Sequence, residues 1–197
     1  MKRFWLATTA TLSVAAMAAI AVPNREPGAA SAASADDPAI RLQVDLSERR
    51  LYVIENGEVA TSYPVAIGKP SYPTPKGSYS IRRVIWNPRW VPPDSKWAKD
   101  KKPKGPGESG NPMGRVKIFF SEPDYYIHGT REVDSLGEAE SHGCLRMRNA
   151  DVIALAKRVM AAGGKPVKQS FVRNVINRVR STHEVRLSNA VPIQIKA

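Results

Sequence analysis

Cysteine occurs once in this chain, at Cys144, and histidine only three times, at His128, His142 and His183. One thiol excludes an intramolecular disulfide framework. Neither a Cys-x-x-Cys nor a His-x-x-x-His spacing is present, so the usual ligand pairs of a zinc site are missing. His128, His142 and Cys144 would suffice in number for a catalytic zinc. Without that spacing the sequence points to no metal and no cofactor. His183, near the C-terminus, reads as a surface or packing residue. Acidic side chains are scarce beside basic ones, 18 against 30, which gives a net charge of +12. No second long apolar run follows the first, at 6–22, which excludes a multi-span helical membrane protein. No internal repeat is visible.

That single apolar run has a basic start, Met1-Lys2-Arg3-Phe4-Trp5, and small residues after it. This is the layout of a secretory signal over residues 1–35, with Ala33-Ser34-Ala35 as the cleavage site before Asp36. Left uncleaved, the run would contact the membrane as a signal anchor, although it is slightly short for a full span. The rest of the chain is expected to be exported, to the periplasm or cell envelope. Residues 1–35 carry a net +2, leaving +10 on the remainder. Outside the cytoplasm such a charge points to an anionic envelope or polymer, not to nucleic acid. Residues 40–197 are enough for one domain with a real core, expected as a monomer. In an oxidising compartment an unpartnered cysteine suggests a reactive thiol, against the plainer reading of a small buried hydrophobe.

The exported part reads mainly as strands. Alternation of apolar and polar residues predicts strands over 40–46, 50–55, 58–68, 77–86, 115–120 and 124–129, with Glu55-Asn56-Gly57-Glu58 as a turn. Between 87 and 114 lies a stretch dense in Pro, Gly and Lys, long enough to be a functional loop or lid. Its basic part, 96–104, reads either as a cover over an anionic peptide, with Trp90 and Trp97 as contacts, or as a solvated loop. A helix is predicted over 149–162, capped by Asn149, with Val152, Leu155, Ala156 and Val159 on one face. Gly163-Gly164 ends it. A weaker helix is predicted over 167–180, and a closing strand over 191–196.

The chemistry gathers around two short segments. His128 ends one strand, and Ser141-His142-Gly143-Cys144 precedes the first helix. A thiol attacks as its thiolate, so a base must take its proton, and a base paired with it would lower its pKa. Histidine suits that task. If 141–144 is extended, His142 and Cys144 share a face; His128 must arrive from a separate strand. The main-chain N–H groups of Gly143 and Cys144 would face a developing oxyanion. These residues support a cysteine acyl-transfer site.

His128-Gly129-Thr130, then Ser141-His142-Gly143-Cys144-Leu145-Arg146-Met147 after a short gap, resembles the signature of the L,D-transpeptidase catalytic domain. Thr74-Pro75-Lys76-Gly77, Asn87-Pro88, Pro92-Pro93 and Gly110-Asn111-Pro112-Met113-Gly114 stand upstream in the family's order. The resemblance covers about 40–162. It implies a mainly β, β-sandwich-like domain with one or two flanking helices, working on peptidoglycan stem peptides. The nucleophile would be Cys144 and the proton-transfer residue His128, oriented by the carbonyl of Gly129. The thiol would attack the bond between the L-centre of a diaminopimelyl-type third residue and a terminal D-amino acid. An amine acceptor would make the enzyme a transpeptidase, and water a thiol carboxypeptidase. A non-catalytic wall-binding domain would leave the Cys-His pairing unused. His142 and the Gly143–Cys144 backbone would shape the acyl site. Arg146 would brace the loop by an ion pair or meet a substrate carboxylate. Ser141 reads as a hydrogen-bonding loop residue. Tyr126, Thr130, Asn111 and Trp97 are the expected substrate contacts.

Overall fold

The computed structural model describes residues 39–197; the expected signal segment and its cleavage site lie outside the described residues. Three strands open the domain as consecutive antiparallel pairs: β1 (Ile40–Asp45), β2 (Arg50–Glu55) and β3 (Glu58–Pro64). Asn56 and Gly57 both take positive φ in the turn between β2 and β3, as a two-residue hairpin loop demands. Next come β4 (Ile67–Gly68), β5 (Gly77–Trp86), β6 (Val116–Ser121), β7 (Tyr125–Thr130), β8 (Ala139–Ser141) and β9 (Leu145–Arg148). Helices α1 (Asn149–Ala162) and α2 (Gln169–Asn177) precede the last strand, β10 (His183–Lys196). Eight strands form one sheet in the order β3-β2-β1-β10-β5-β6-β7-β9, and β4 pairs with β8 in a smaller one. The mainly β, sandwich-like architecture with flanking helices therefore holds.

One face of the large sheet packs on the helices. Val152, Leu155, Ala156, Val159 and Met160 of α1 are buried against Trp86, Ile118, Ile127, Leu145 and Met147. Each such Val, Leu, Ile or Met side chain withdrawn from water contributes roughly 1.5–3 kcal/mol of transfer free energy before entropy is counted. The period of two along β6, β7 and β9 leaves their alternate residues on the opposite face. That second face carries the candidate site.

Four local readings are corrected. The strand expected over 58–68 divides after Pro64, which has no N–H to donate to a ladder. Beyond it the chain turns to pair Ile67 with Ala139 of β8. The closing strand begins at His183 instead of 191, because a bulge between Arg186 and Val191 interrupts its alternation against β5. The second helix is shorter than 167–180 at both ends. Asn149 does not cap α1; Arg148 holds that position and makes no side-chain cap bond.

Asn149 instead ties three elements together. Its Oδ1 accepts the Arg115 N–H at 2.8 Å, and its Nδ2 donates to the Thr130 carbonyl at 3.0 Å. A Cβ on Gly129 would collide with that Oδ1, so glycine is required where the asparagine crosses. Asn149→Ala leaves two main-chain groups without partners. It is expected to lower unfolding free energy by about 1–3 kcal/mol, read as a shifted urea midpoint. An unmoved midpoint would reject this bracing role. Among the described residues no helix is long and apolar enough to cross a membrane.

Candidate functional site

The antiparallel pairing of β6 with β7 sets Lys117 opposite His128 and Phe119 opposite Tyr126. The parallel pairing of β7 with β9 sets His128 opposite Arg146. Cys144 immediately precedes β9 and packs, half-buried, against the apolar cluster of Trp90, Met113, Phe119 and Tyr126. Thus Lys117, Phe119, Tyr126, His128, Cys144 and Arg146 gather on one sheet face, from the consecutive strands β6 and β7 and from the entry of β9.

His128 is buried, and its Nδ1 lies 2.8 Å from the Gly129 carbonyl oxygen. A carbonyl can only accept, so Nδ1 carries the proton and Nε2 is left as the basic nitrogen. Burial first, then the charges of Arg146 and Lys117, hold the imidazole down to about pKa 4, against the opposing pull of the Gly129 and Pro112 carbonyls. The ring is neutral across the physiological range.

The thiol is not the pre-ionised species expected of a paired base. Burial pushes Cys144 above the ordinary thiol range. Hydrogen bonds from Tyr126, then the charges of Lys117 and Arg146, oppose that rise. In this structure Sγ is hydrogen-bonded at 3.3 Å to the Asp124 carbonyl, and neither His128 nor His142 bonds it. At rest, the site holds a neutral thiol and a neutral imidazole.

Residues 141–144 are not extended, which corrects the placing of His142 beside Cys144. Gly143 sits at φ +103°, where a side chain would press on Tyr125. The turn sends the His142 ring between Trp97, stacked at 4.0 Å and 17°, and Tyr72, tilted at 5.0 Å. Partial burial, Lys69 and Arg146 shift its pKa down. Ser141, fully buried, holds the turn: its hydroxyl donates to the Cys144 carbonyl at 2.5 Å and accepts the Gly143 N–H at 3.1 Å. The Gly143 N–H is therefore occupied, and the Cys144 N–H is left as the main-chain candidate of the expected pair.

Other expected contacts also find different partners. Arg146 forms an ion pair with Glu132 at 2.7 Å, the bracing alternative. Thr130 is buried, its hydroxyl accepting the Glu132 N–H at 3.0 Å. Asn111 donates to the Pro88 and Gly105 carbonyls and accepts from the Met113 N–H, which leaves its amide committed to the loop. Tyr126 sets its phenol against the thiol, and burial followed by the neighbouring sulfur keeps it protonated. Of the four expected substrate contacts, Tyr126 and Trp97 lie in the apolar cluster that holds Cys144, while the side chains of Thr130 and Asn111 are committed to their own loops. Within 87–114 the chain is anchored at Asn87, at Trp90 with Lys104 and at Trp97, while Lys96, Lys99, Lys101 and Lys102 of the basic part are exposed to solvent. Asn87 donates to the carbonyl of Val175 at 2.7 Å, Trp90 and Lys104 exchange main-chain bonds, and Trp97 reaches His142. Lys117 and Tyr72 were missed in the sequence. A lysine inside the apolar run Arg115-Val116-Lys117-Ile118-Phe119-Phe120 was the available signal for the first. Tyr72 offered none.

Among the described residues no cluster of three or more His, Cys, Asp and Glu is placed to hold a metal ion.

A mainly β domain with one thiol and a buried imidazole on a shared sheet face defines a class of thiol-bearing β domains. Within it, residues 39–176 match the YkuD family, the L,D-transpeptidase catalytic domain, and the chain belongs to that family. It is 34% identical over 119 residues to YkuD of Bacillus licheniformis, provisionally designated an L,D-transpeptidase, covering 60% of this chain and 59% of that protein. Over 127 residues it is 30% identical to YbiS of Escherichia coli K12, covering 59% of this chain and 40% of that one. The chain thus spans about six tenths or less of the length of these relatives. Its fold resembles the NMR structure of the catalytic domain of an E. faecium L,D-transpeptidase, with a TM-score of 0.51 at 16% identity, covering 82% of this chain and 99% of that one. An L,D-transpeptidase from Mycobacterium tuberculosis H37Rv gives a TM-score of 0.50 at 18% identity, covering 81% and 58%.

Proposed function

We propose that the protein is an exported L,D-transpeptidase that acts on peptidoglycan stem peptides through a thioester on Cys144. The carrying observation is the lone thiol facing the sheet surface that also bears His128, whose Nδ1–H is fixed on the Gly129 carbonyl. Sulfur attacks the carbonyl carbon at the L-centre of the third residue as its proton passes to His128 Nε2. The oxyanion is met by the Cys144 N–H. Collapse breaks the peptide bond, and the proton leaves on the amine of the terminal D-amino acid. An acceptor amine then attacks the thioester, gives its proton to His128, and expels the thiol, reprotonated by the same ring. Because both groups rest neutral, proton transfer accompanies attack instead of preceding it. The imidazolium formed in that step is favoured by the Gly129 and Pro112 carbonyls.

Incubation with purified tetrapeptide muropeptides, read by mass, tests the reading. Loss of the terminal residue with joining to an amine supports it, release to water makes the protein a hydrolase, and no reaction at all overturns it. The acid limb carries a further expectation. His128 accepts a proton only when neutral, so kcat/KM for acylation should hold as pH falls through 6 and drop near pH 4. A limb near 6.5 would mean an imidazole titrating as it does in water.

A further inference from the structure

We propose that Lys117 is the electrostatic partner of the nucleophile: its unpaired ammonium, seated on Tyr126 beside Cys144, stabilises the thiolate and the anion that forms as the thiol attacks. The assignment rests on the reading of Cys144 as nucleophile, but adds a residue that lies outside the Cys-His signature.

The geometry is unusual for a lysine. Lys117 points from β6 onto the sheet face of the site, its Nζ 3.7 Å from the centroid of the Tyr126 ring and 4.8 Å from that of Phe119. The Tyr126 ring continues to His128, with centroids 5.6 Å apart, and Cys144 packs against the same aromatic cluster. Arg83, the neighbouring cation over Phe119, is paired with Glu122 at 2.8 Å, and Arg146 with Glu132 at 2.7 Å. Among the described residues no carboxylate lies within ion-pair distance of Lys117. A half-buried ammonium held by aromatic faces and lacking a carboxylate is costly, and such placements recur where charge is needed for chemistry.

Titration agrees in sign. Burial, the largest cause, lowers Lys117 to about 8, and Arg83 adds to that, while Cys144 and Asp124 pull it back up. Lys117 and Arg146 in turn oppose the rise of the thiol. The groups facing this pair are thus Arg83 from β5, Asp124 before β7, Tyr126 and His128 from β7, and Arg146 from β9. Ionising the thiol sets its negative charge in the field of Lys117, and Arg83 and Arg146 on this face are already paired with carboxylates of their own. The folded lysine binds its proton less tightly than an exposed one. At pH 7 its charge therefore works against folding, a cost relieved as pH rises from 8 toward 10.5.

The test is the pH profile of iodoacetamide alkylation of the full-length chain, in which the thiolate sulfur bonds to carbon and iodide leaves. It is run on wild type, Lys117→Met and Lys117→Arg. Lys117→Met should move the alkylation midpoint up by about one pH unit, a roughly tenfold slower rate at pH 8, while melting no lower than wild type. Lys117→Arg, which keeps the charge, should stay within about threefold of wild type. If Lys117→Met does not fold, Lys117→Gln carries the same expectation. A Lys117→Met profile superimposed on wild type overturns the proposal, and so does an equal slowing in Lys117→Arg, which would mark a packing role. Neither result touches the nucleophile assignment, because alkylation at Cys144 is the readout in every arm.

Discussion

Cys144→Ala is expected to take no label from iodoacetamide and no adduct from a carbapenem, while wild type takes one of each. Turnover of tetrapeptide should fall by on the order of 10⁴-fold or more. The expectation follows from the count of one thiol in the whole chain: no second thiol exists to substitute for it. The strained lactam carbonyl opens on the sulfur as a peptide carbonyl would, so the adduct reports acylation without needing an acceptor. The fold should hardly notice. Cys144 is half-buried at the rim of its aromatic cluster, and the hydrogen bond its thiol donates, to the Asp124 carbonyl, is weak. A melting temperature near that of wild type, with the adduct gone, separates lost chemistry from lost structure. An adduct of unchanged stoichiometry on the alanine variant would sink the nucleophile assignment.

His128→Ala is expected to slow acylation by stem peptide about 10²- to 10⁴-fold, the usual worth of a positioned general base. It should do so without moving the alkylation profile of Cys144. The two readouts part company because a neutral imidazole adds no charge to hold a thiolate. The forces acting on the sulfur are burial, Tyr126, Lys117 and Arg146. His128 matters only once a proton has to move. A profile that shifts upward in His128→Ala would mean an imidazolium–thiolate pair at rest, contrary to the burial of the ring. Since the side chain is fully enclosed, His128→Gln serves as the second variant: it refills most of the space and offers no basic nitrogen.

Local pattern explains which parts of this architecture were legible in the sequence. β2, β5 and α1 lie where periodicity places them, because alternation in 50–55 and 77–86 and the four-residue face of 149–162 match what the core buries. β8 and β9, of three and four residues, are too short to carry a period, yet β9 is what sets Cys144 on the same face as His128. Parallel pairing of β7 with β9 is a relation between distant segments, and no local alternation encodes it. The same limit misplaced His142. Sequence separation makes it the nearer histidine, but one left-handed glycine turns it away toward Trp97. The pair proposed to react, Cys144 and His128, stands in a motif the sequence displays; its charge state does not. Burial of His128 and the approach of Lys117 and Arg146 arise only when three strands are laid side by side.

The position of β10 has a consequence for the order in which this molecule can be made. The strand formed by residues 183–196 lies between β1, to which it is parallel, and β5, to which it is antiparallel. It falls outside the stretch matched to the family, yet it joins the hairpins of residues 40–64 to the strands that carry Lys117 and His128 and position Cys144. A chain emerging from its N-terminus can close the β1-β2-β3 meander early, and the β6-β7 pair later. It cannot weld the two until residues 183–196 have arrived. The assembly is a dovetail whose key is cut last, so folding waits on its most distant contacts and is expected to be slow. A chain shortened before residue 183 would hold every reacting group and still lack the seam that sets them in one surface.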